Sequence, residues 1–212
     1  MIYITVAVIV AVFVIIFFAA ATGSGGSSSS GGGFFWGTHF EDAARRAGRR
    51  GENYASQAIR QVMREGDRMF TNVCIEVDGR KTELDIVIVN KYGVFIIEVK
   101  NYKGLLSGGE NDFEWQKLKT TDAGNTYEKT VKNPIRQVKR QIFLLARFLE
   151  ANGAKAWVMG YAYIINANSP VKSEYLLESI DEIARTIHTP CRRMLGENTI
   201  DRIAYLLGAI SQ

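Results

Sequence analysis

The sequence predicts an α/β domain preceded by one transmembrane helix. Several runs of Val, Ile and Phe have the spacing of β-strands. The segments before and after them have apolar residues at every third or fourth position, as helices that pack on a sheet do. Of the 212 residues, 47% are hydrophobic and 11% are aromatic, which is enough for one sizeable core. We therefore expect one folded domain at residues 34–212.

The first residues predict a membrane anchor. Residues 2–22 carry no charge and, at about 1.5 Å per residue, would cross the roughly 30 Å hydrocarbon core of a bilayer. A cleaved signal peptide is the alternative, with the three alanines at 19–21 as the cleavage site, although no Lys or Arg precedes the apolar run. Residues 23–33 (GSGGSSSSGGG) predict a flexible linker. The basic residues that follow indicate a single-pass protein whose C-terminal domain is cytosolic: Arg45, Arg46, Arg49 and Arg50.

Charge and residue usage narrow the functional classes. A formal net charge of +4 and a pI near 9.0 are compatible with a polyanionic partner but do not establish one. Cys74 and Cys191 lack the spacing of a metal site, so we expect buried free thiols in a reducing compartment. His39 and His188 have no neighbours that suggest a metal site or a catalytic triad, and we expect surface or capping roles for them.

Two helices are predicted before the strands. The first covers residues 38–46 and opens with the capping-box spacing of Thr38 and Glu41. The second covers residues 52–65 after Gly51, and its apolar stripe consists of Ala55, Ile59, Val62 and Met63. Glu52 lies about 20° from Ile59 in projection, so it falls within that stripe. Taken alone, Glu52 is explained by the preference of a first helical turn for acids.

The next segment predicts a hairpin with charged residues on one face. Strands are expected at residues 73–77, 84–89 and 94–99, and Asp78-Gly79 forms the first turn. If Val89 faces Val94, antiparallel pairing sets Asp85 opposite Glu98 and Glu83 opposite Lys100. The opposite face is then wholly apolar and belongs to the core: Leu84, Ile86, Ile88, Phe95, Ile97 and Val99.

The pair of acids needs an explanation, because like charges directly opposite each other destabilise a sheet. A hard divalent cation such as Mg²⁺ between Asp85 and Glu98 would remove the repulsion. The alternative is a solvated face on which Lys100 pairs with Glu83.

The second half of the chain predicts a polar segment and three more helices. Residues 105–130 are expected to form a short strand pair or an active-site loop, with Phe113 and Trp115 as packing points. A helix at 134–151 is capped by Asn133, and its stripe of Ile135, Val138, Ile142, Leu145 and Leu149 faces the core. Gln137 and Gln141 lie on one edge. A strand at 157–165 and helices at 179–187 and 198–210 complete the order.

The predicted 134–151 helix has a basic side opposite its apolar stripe. This side consists of Arg136, Lys139, Arg140 and Arg147, and no acid occurs between Val131 and Leu149. Such a face is either solvated or suited to a phosphate backbone, and we expect Arg136, Lys139 and Arg140 to contact nucleic acid.

The ordered charged residues resemble a known family. Glu52 on a helix, Asp85 on a strand, Glu98-Val99-Lys100 on the next strand and Asn133-Pro134-x-x-Gln137 at the following helix resemble the PD-(D/E)XK nuclease superfamily. More narrowly, they resemble its nuclease-related domain, NERD, over roughly residues 48–165. The resemblance implies a restriction-endonuclease-like mixed sheet flanked by helices. It departs from the family at Ile86, where many members carry His.

The resemblance also implies residue roles. Asp85, Glu98 and the carbonyl of Val99 would bind Mg²⁺ or Mn²⁺, and Lys100 would orient or help deprotonate the attacking water. Glu52 would lie near the ion or hold Lys100 in place, and Gln137 would contact the metal or the scissile phosphate. The expected function is a membrane-anchored, metal-dependent nuclease acting on nucleic acid, with DNA as the expected substrate. The alternatives are a non-catalytic nucleic-acid-binding module and a membrane interaction module.

Overall fold

The computed structural model describes residues 33–120, 124–190 and 194–211, and the side chains from residue 45 onward. The predicted transmembrane helix at 2–22, and the linker except its last residue, lie outside this part of the chain. Among the described helices, none combines the length and apolar character needed to cross a membrane. Residues 42–212 form one compact unit, which contains every strand described below.

A five-stranded mixed sheet forms the centre of this unit. Its strands lie in the order β1, β2, β3, β7, β8. The first three are antiparallel, whereas β3, β7 and β8 are parallel, so the predicted mixed α/β class is confirmed. Their bounds are Arg68–Val77 (β1), Arg80–Asn90 (β2), Gly93–Lys100 (β3), Val158–Ile164 (β7) and Leu176–Leu177 (β8).

A second sheet lies in the segment between β3 and the next helix. It is antiparallel, with the order β4 (Leu105–Ser107), β5 (Glu114–Thr120) and β6 (Thr126–Lys132). The predicted strand pair is therefore present with one additional strand. Trp115 is fully buried beside Leu106 and Ile135, as a packing point should be. Phe113 is 78% exposed, so its prediction as a packing point was wrong.

Four helices are described: α1 (Gly33–Val62), α2 (Pro134–Ala151), α3 (Ile180–Ile187) and α4 (Glu197–Gly208). The start of α2 agrees with the sequence, because the Asn133 side chain accepts from the Ile135 amide at 2.9 Å and Pro134 follows it. Ser179 caps α3 by accepting from the Glu182 amide at 3.2 Å.

The helices cover both faces of the five-stranded sheet. One core contains Val87, Val89, Val94 and Ile96 together with buried residues of α2 and α4, such as Leu145 and Ile203. The other contains Ile86, Ile88, Phe95 and Ile97 together with buried residues of α1 and α3, such as Ile59 and Ile183. Because strand side chains alternate, the two cores lie on opposite faces.

The N-terminal helix is continuous where two helices were predicted. Gly51, which was expected to separate them, lies inside α1 and is buried. A Cβ at Gly51 would lie 2.7 Å from Cβ of Asn101, so the absence of a side chain lets α1 pack against the end of β3. Gly51 therefore allows a close contact between α1 and Asn101, and Asn101 reinforces this contact by donating to the carbonyl of Ala47 at 3.0 Å.

The structure also tests two expectations for single residues, one of which was wrong. Cys74 is an exposed free thiol, whereas it was expected to be buried. His188 is the buried C-cap residue of α3 and bonds to Asp67 at 2.8 Å, so it has the capping role that was one of the two expected for it. Cys191 and the side chain of His39 lie outside the described residues.

Candidate active site

The hydrogen-bond ladder between β2 and β3 stops one pair before the predicted carboxylates. It runs from Asn90 and Gly93 to Ile86 and Ile97, and it includes the predicted pairs of Val89 with Val94 and Val87 with Ile96. Beyond Ile86, the Asp85 side chain replaces the backbone partner: its Oδ2 accepts from the Val99 amide at 2.7 Å. Asp85 is therefore fixed against β3 by its carboxylate.

The β1–β2 ladder is interrupted at the same level. Thr71 pairs with Ile86 and Val73 pairs with Leu84, but Asn72 has no pair opposite Asp85 and has a left-handed φ of 51°. Side-chain alternation reverses across this irregularity, because Leu84 packs in the same core as Val87. The predicted apolar face was therefore wrong at Leu84, whereas Ile86, Ile88, Phe95, Ile97 and Val99 do share one core.

Glu98 is the most deeply buried carboxylate among the predicted site residues. It is 3% exposed on the face of β3 that packs against α2. Its Oε1 accepts from Lys100 Nζ at 2.6 Å and from Gln137 Nε2 at 2.5 Å, and its Oε2 accepts from Gln141 Nε2 at 2.5 Å. Charge-assisted hydrogen bonds of this kind offset the cost of burying the carboxylate.

Lys100 is an electrostatic partner of both acids. Burial works to lower the pKa of Lys100, but the attraction of Glu98, joined by Tyr102 and Asp85, outweighs it and leaves the pKa above its ordinary value. The ammonium group therefore holds its proton in this arrangement. It is suited to stabilise negative charge rather than to accept a proton from water.

For Asp85 and Glu52, in contrast to Lys100, the surroundings favour the neutral form. Burial and then the nearby Glu98 raise the pKa of Asp85 to about 7, although the Val99 amide and Lys100 oppose the change. Burial also raises the pKa of Glu52, with further contributions from Glu83 and Glu98, against Lys100 and Arg49. Glu52 is half-buried on α1, as the helical projection predicted. The carboxylates are therefore close enough to repel one another in a partly dry site.

A cavity of about 450 Å³ opens beside these groups. Carboxylates lie on its wall together with two guanidinium groups, an arrangement that can receive a cation and a phosphate side by side. A larger cavity of about 790 Å³, near Asp67 and His188, contains none of the predicted site residues. The smaller cavity is lined by Arg45, Gly48, Arg49, Glu52, Asn53, Asn72, Glu83 and Asp85.

The donor set suits a hard divalent cation with retained water. Within the described ranges, no three His, Cys, Asp or Glu side chains form a cluster that could hold a metal by themselves. Mg²⁺, however, is commonly held by one or two carboxylates together with water and phosphate oxygens. Oδ1 of Asp85 accepts no hydrogen bond from the described residues, and the buried Oε1 of Gln141 has no partner there. Oδ1 of Asp85 and Oε1 of Gln141 are thus oxygens of the type that Mg²⁺ binds, whereas both oxygens of Glu98 already accept hydrogen bonds.

The predicted nucleic-acid contacts on α2 are engaged within the protein. Arg136 lies 3.9 Å from the centre of the Phe113 ring, and Lys139 pairs with Glu110 at 2.7 Å. Arg140 donates to the carbonyl of Lys81 at 3.3 Å. These three cations do not line the 450 Å³ cavity. The sequence of α2 alone predicted a face with only basic residues, because the acid that pairs with Lys139, Glu110, comes from a segment more than twenty residues before the helix.

The structure adds residues that the sequence did not assign to the site. Gln141 was placed on an edge of α2, yet it is fully buried and bonds directly to Glu98. Its spacing of four residues from Gln137 was the available signal, since both then lie on one helical face. Arg49 could have been found from its position three residues before Glu52. Asn72 could not, because its left-handed backbone depends on the tertiary fold.

Comparison with known proteins identifies the family of the chain. The family model of the nuclease-related domain, NERD, matches residues 47–165, which include Glu52, Asp85, Glu98, Lys100 and Gln137. An uncharacterized protein of Bacillus anthracis is 28% identical over 69 residues, which amount to 32% of this chain and 32% of that protein. The chain thus aligns with about a third of that relative's length. No solved structure gives a significant match. Because the NERD match covers more than half of the chain, the protein belongs to the nuclease-related domain family.

Proposed function

We propose that this protein is a Mg²⁺- or Mn²⁺-dependent nuclease that hydrolyses phosphodiester bonds of nucleic acid, with DNA as the substrate. The single observation that best supports the proposal is that Asp85, held against β3 by the Val99 amide, lies close enough to Glu98 and Lys100 for both to influence its pKa. Burying two neighbouring carboxylates is unfavourable for stability alone. A bound divalent cation would make the arrangement favourable, and the family membership supports a nuclease-related role.

The proposed roles follow from the contacts of each side chain. Asp85 and Glu98 would hold the cation, with the Val99 carbonyl as a further ligand, and the Val99 amide fixes the orientation of Asp85. When bound, the cation would lower the pKa of a bound water and polarise a phosphoryl oxygen. Lys100, which keeps its proton, would stabilise negative charge that develops on the phosphate.

Four further residues would position substrate and ligands. Gln137 and Gln141 hold the carboxylate of Glu98 through Oε1 and Oε2. Arg49 lines the cavity with Asp85 and is suited to a phosphate oxygen. Glu52 would interact with Lys100 or with water on the cation, which agrees with the electrostatic influence of Lys100 on its pKa.

We further propose that the domain has the restriction-endonuclease-like fold and is attached to a membrane by residues 2–22, with its C-terminal part in the cytosol. The mixed sheet with helices on both faces supports the first statement. The uncharged apolar sequence and the arginines that follow it support the second.

A non-catalytic module that binds nucleic acid is the second candidate. It is favoured by the saturation of Glu98, which accepts hydrogen bonds from Lys100, Gln137 and Gln141. A carboxylate with three donors is stable without a cation, provided that these side chains do not rearrange. Under this alternative the scaffold would grip nucleic acid without cutting it, and binding would be salt-sensitive.

Cleavage by the full chain in a non-ionic detergent distinguishes the two. Supercoiled plasmid and end-labelled single-stranded DNA are incubated with wild type, Asp85→Asn and Asp181→Asn, with Mg²⁺, with Mn²⁺ or with a chelator. Asp181 is an exposed acid on α3, so its variant is matched in charge and lies outside the cavity. The proposal expects metal-dependent cleavage by wild type and Asp181→Asn and none by Asp85→Asn. Equal inactivity of all three, with retained DNA binding, would instead select the non-catalytic module.

A further inference from the structure

The β5–β6 ribbon is exposed over most of its length. Trp115 of β5 is buried and Val131 of β6 is half-buried, and both pack on the core that contains Leu106 and Ile135. The described residues of the ribbon beyond them are exposed, except for Lys117, which is half-buried. The ribbon is therefore anchored at one end and available to a partner over the rest.

Its two faces differ in charge. Alternation places Lys117 and Lys119 of β5 on one face, with Lys129 and Tyr127 directly opposite them on β6. The described residues of this face include no acid, and none of the three lysines forms an ion pair with a described carboxylate. Glu128 points to the other face, opposite Leu118. We call Lys117, Lys119, Tyr127 and Lys129 the lysine face.

Repulsion between the lysines of the lysine face destabilises the ribbon when no partner is bound. Lys117 and Lys129 are directly opposed, and like charges in that position destabilise a strand pair. Burial, followed by the repulsion of Lys129 and Lys119, lowers the pKa of Lys117. No described carboxylate relieves this repulsion, whereas on α2 Glu110 does so for Lys139. An external polyanion would relieve it.

A chain of contacts connects this face with the candidate active site. Nζ of Lys117 lies 5.5 Å from the centre of the Tyr102 ring. Tyr102 interacts electrostatically with Lys100 and Glu98, and the side chain of Lys100 bonds to Glu98. The lysine face thus begins one aromatic ring away from the groups proposed to act on phosphate.

We propose that the lysine face binds the phosphate backbone of the nucleic acid substrate outside the cavity, as an arm that holds the strand beside the site. The occupant is nucleic acid rather than an anionic membrane, because the lysines are continuous with the candidate site through Tyr102. Lysine ammonium groups can neutralise backbone phosphates, and the exposed ring of Tyr127 can stack on a base. The inference rests on the proposed function for the identity of the ligand.

Binding of the full chain to DNA tests the proposal without cleavage. A short labelled duplex and the corresponding single strand are titrated in a chelator across a series of KCl concentrations. Lys119→Gln with Lys129→Gln removes two exposed charges of the arm, and Lys81→Gln with Lys155→Gln removes the same net charge from exposed sites elsewhere. We expect the arm variant to bind more weakly and to reduce the slope of log K against log salt by about two. The control should keep the wild-type slope.

The salt dependence of DNA binding tests the lysine face separately from catalysis. Equal slopes for the arm variant and wild type contradict the proposal, even if wild type cleaves DNA and the proposed function stands. A reduced slope supports it, even if no cleavage is found and catalysis fails. Flotation with phosphatidylcholine vesicles, with and without phosphatidylserine, tests the other polyanion. A loss of phosphatidylserine-dependent binding in the arm variant, with DNA binding unchanged, would overturn the proposal in favour of a membrane contact.

Discussion

The carboxylate of Asp85 accepts a 2.7 Å hydrogen bond from the backbone amide of Val99, in the place where a strand partner would otherwise bond. This contact explains how two acids on neighbouring strands can approach each other. The strands separate after the pair of Ile86 and Ile97, and Asp85 turns its side chain toward β3. The separation also creates the cavity in which Glu52 and Asp85 meet.

Replacement of Asp85 by Asn should separate folding from catalysis. The Asn oxygen can still accept from the Val99 amide, so the fold should persist, but the negative charge for the cation is lost. We expect nuclease activity to fall by at least about 100-fold, the loss typical of one missing electrostatic group in an active site. Cleavage rates and circular dichroism of the same preparations check this. Wild-type rates in Asp85→Asn would rule out its proposed role.

In the absence of metal, the stability of the protein should decrease as pH rises, because Asp85 loses its proton. Its pKa is raised from 3.8 to about 7 by burial and by Glu98, so between these values the folded state holds a proton that the unfolded state has released. Stability from this group is therefore largest at low pH and is lost as pH rises toward neutrality. Mg²⁺ should restore it, because the cation binds the ionised form.

Thermal unfolding measures this prediction directly. Wild type and Asp85→Asn are heated at pH 5 and pH 8, with and without MgCl₂. We expect Mg²⁺ to raise the Tm of wild type at pH 8, to have little effect at pH 5, and to leave Asp85→Asn unchanged at both. An equal effect of Mg²⁺ on wild type at the two pH values would contradict the role assigned to Asp85.

Removal of the charge at residue 100 should raise the pH at which Asp85 loses its proton and Mg²⁺ begins to bind. Lys100 opposes the rise in the pKa of both Asp85 and Glu52, so Lys100→Met should raise both values further. The pH at which Mg²⁺ begins to raise the Tm should then increase, and cleavage should fall by about 100-fold or more. Lys155→Met, at an exposed lysine, is the matched control. An unshifted transition would mean that Lys100 does not act on the carboxylates.

Gln141 should support metal binding through Glu98. Gln141→Met keeps a similar volume but leaves Oε2 of Glu98 without its donor and removes the unsatisfied Oε1. We expect the affinity for Mn²⁺, measured by calorimetry, to fall by about 10- to 100-fold, as for other residues that orient a ligand. Gln57→Met, at an exposed position of α1, should retain wild-type affinity. Equal affinities for both variants would exclude this positioning role.

The close packing of α1 gives a prediction about stability. A Cβ at residue 51 would lie 2.7 Å from Cβ of Asn101, so Gly51→Ala should lower stability by about 1 to 3 kcal/mol, or roughly 3 to 10 °C in Tm. Gly48→Ala is the control on the same helix, because its nearest atom would be Oε1 of Glu52 at 3.6 Å. If both substitutions change the Tm equally, the contact with Asn101 does not constrain α1.

The sequence could predict those features that depend on local pattern. Asn133 and Pro134 located the start of α2, and the turn between Val89 and Val94 set the register of β2 and β3. The burial of Glu52 followed from helical geometry. These features depend on residues near one another in the chain, where spacing and capping preferences decide the structure.

Other features depend on contacts between distant segments and could not be predicted in this way. The reversal at Leu84 requires the left-handed backbone of Asn72 on the neighbouring strand. Glu110 neutralises Lys139 from a different segment, and Gly51 fits against Asn101 inside one helix instead of separating two helices. A sequence pattern predicts which side of a helix or strand a residue lies on, but it does not predict which distant residue contacts that side.

The most direct measurement of the central claim is the position of a divalent cation in crystals of the protein soaked in Mn²⁺. Anomalous diffraction locates Mn²⁺ independently of the protein density. We expect one peak within coordination distance of a carboxylate oxygen of both Asp85 and Glu98, and none in crystals of Asp85→Asn. Mn²⁺ bound elsewhere, or no peak at these two carboxylates when the soaked protein is intact, would contradict the claim that they share a cation.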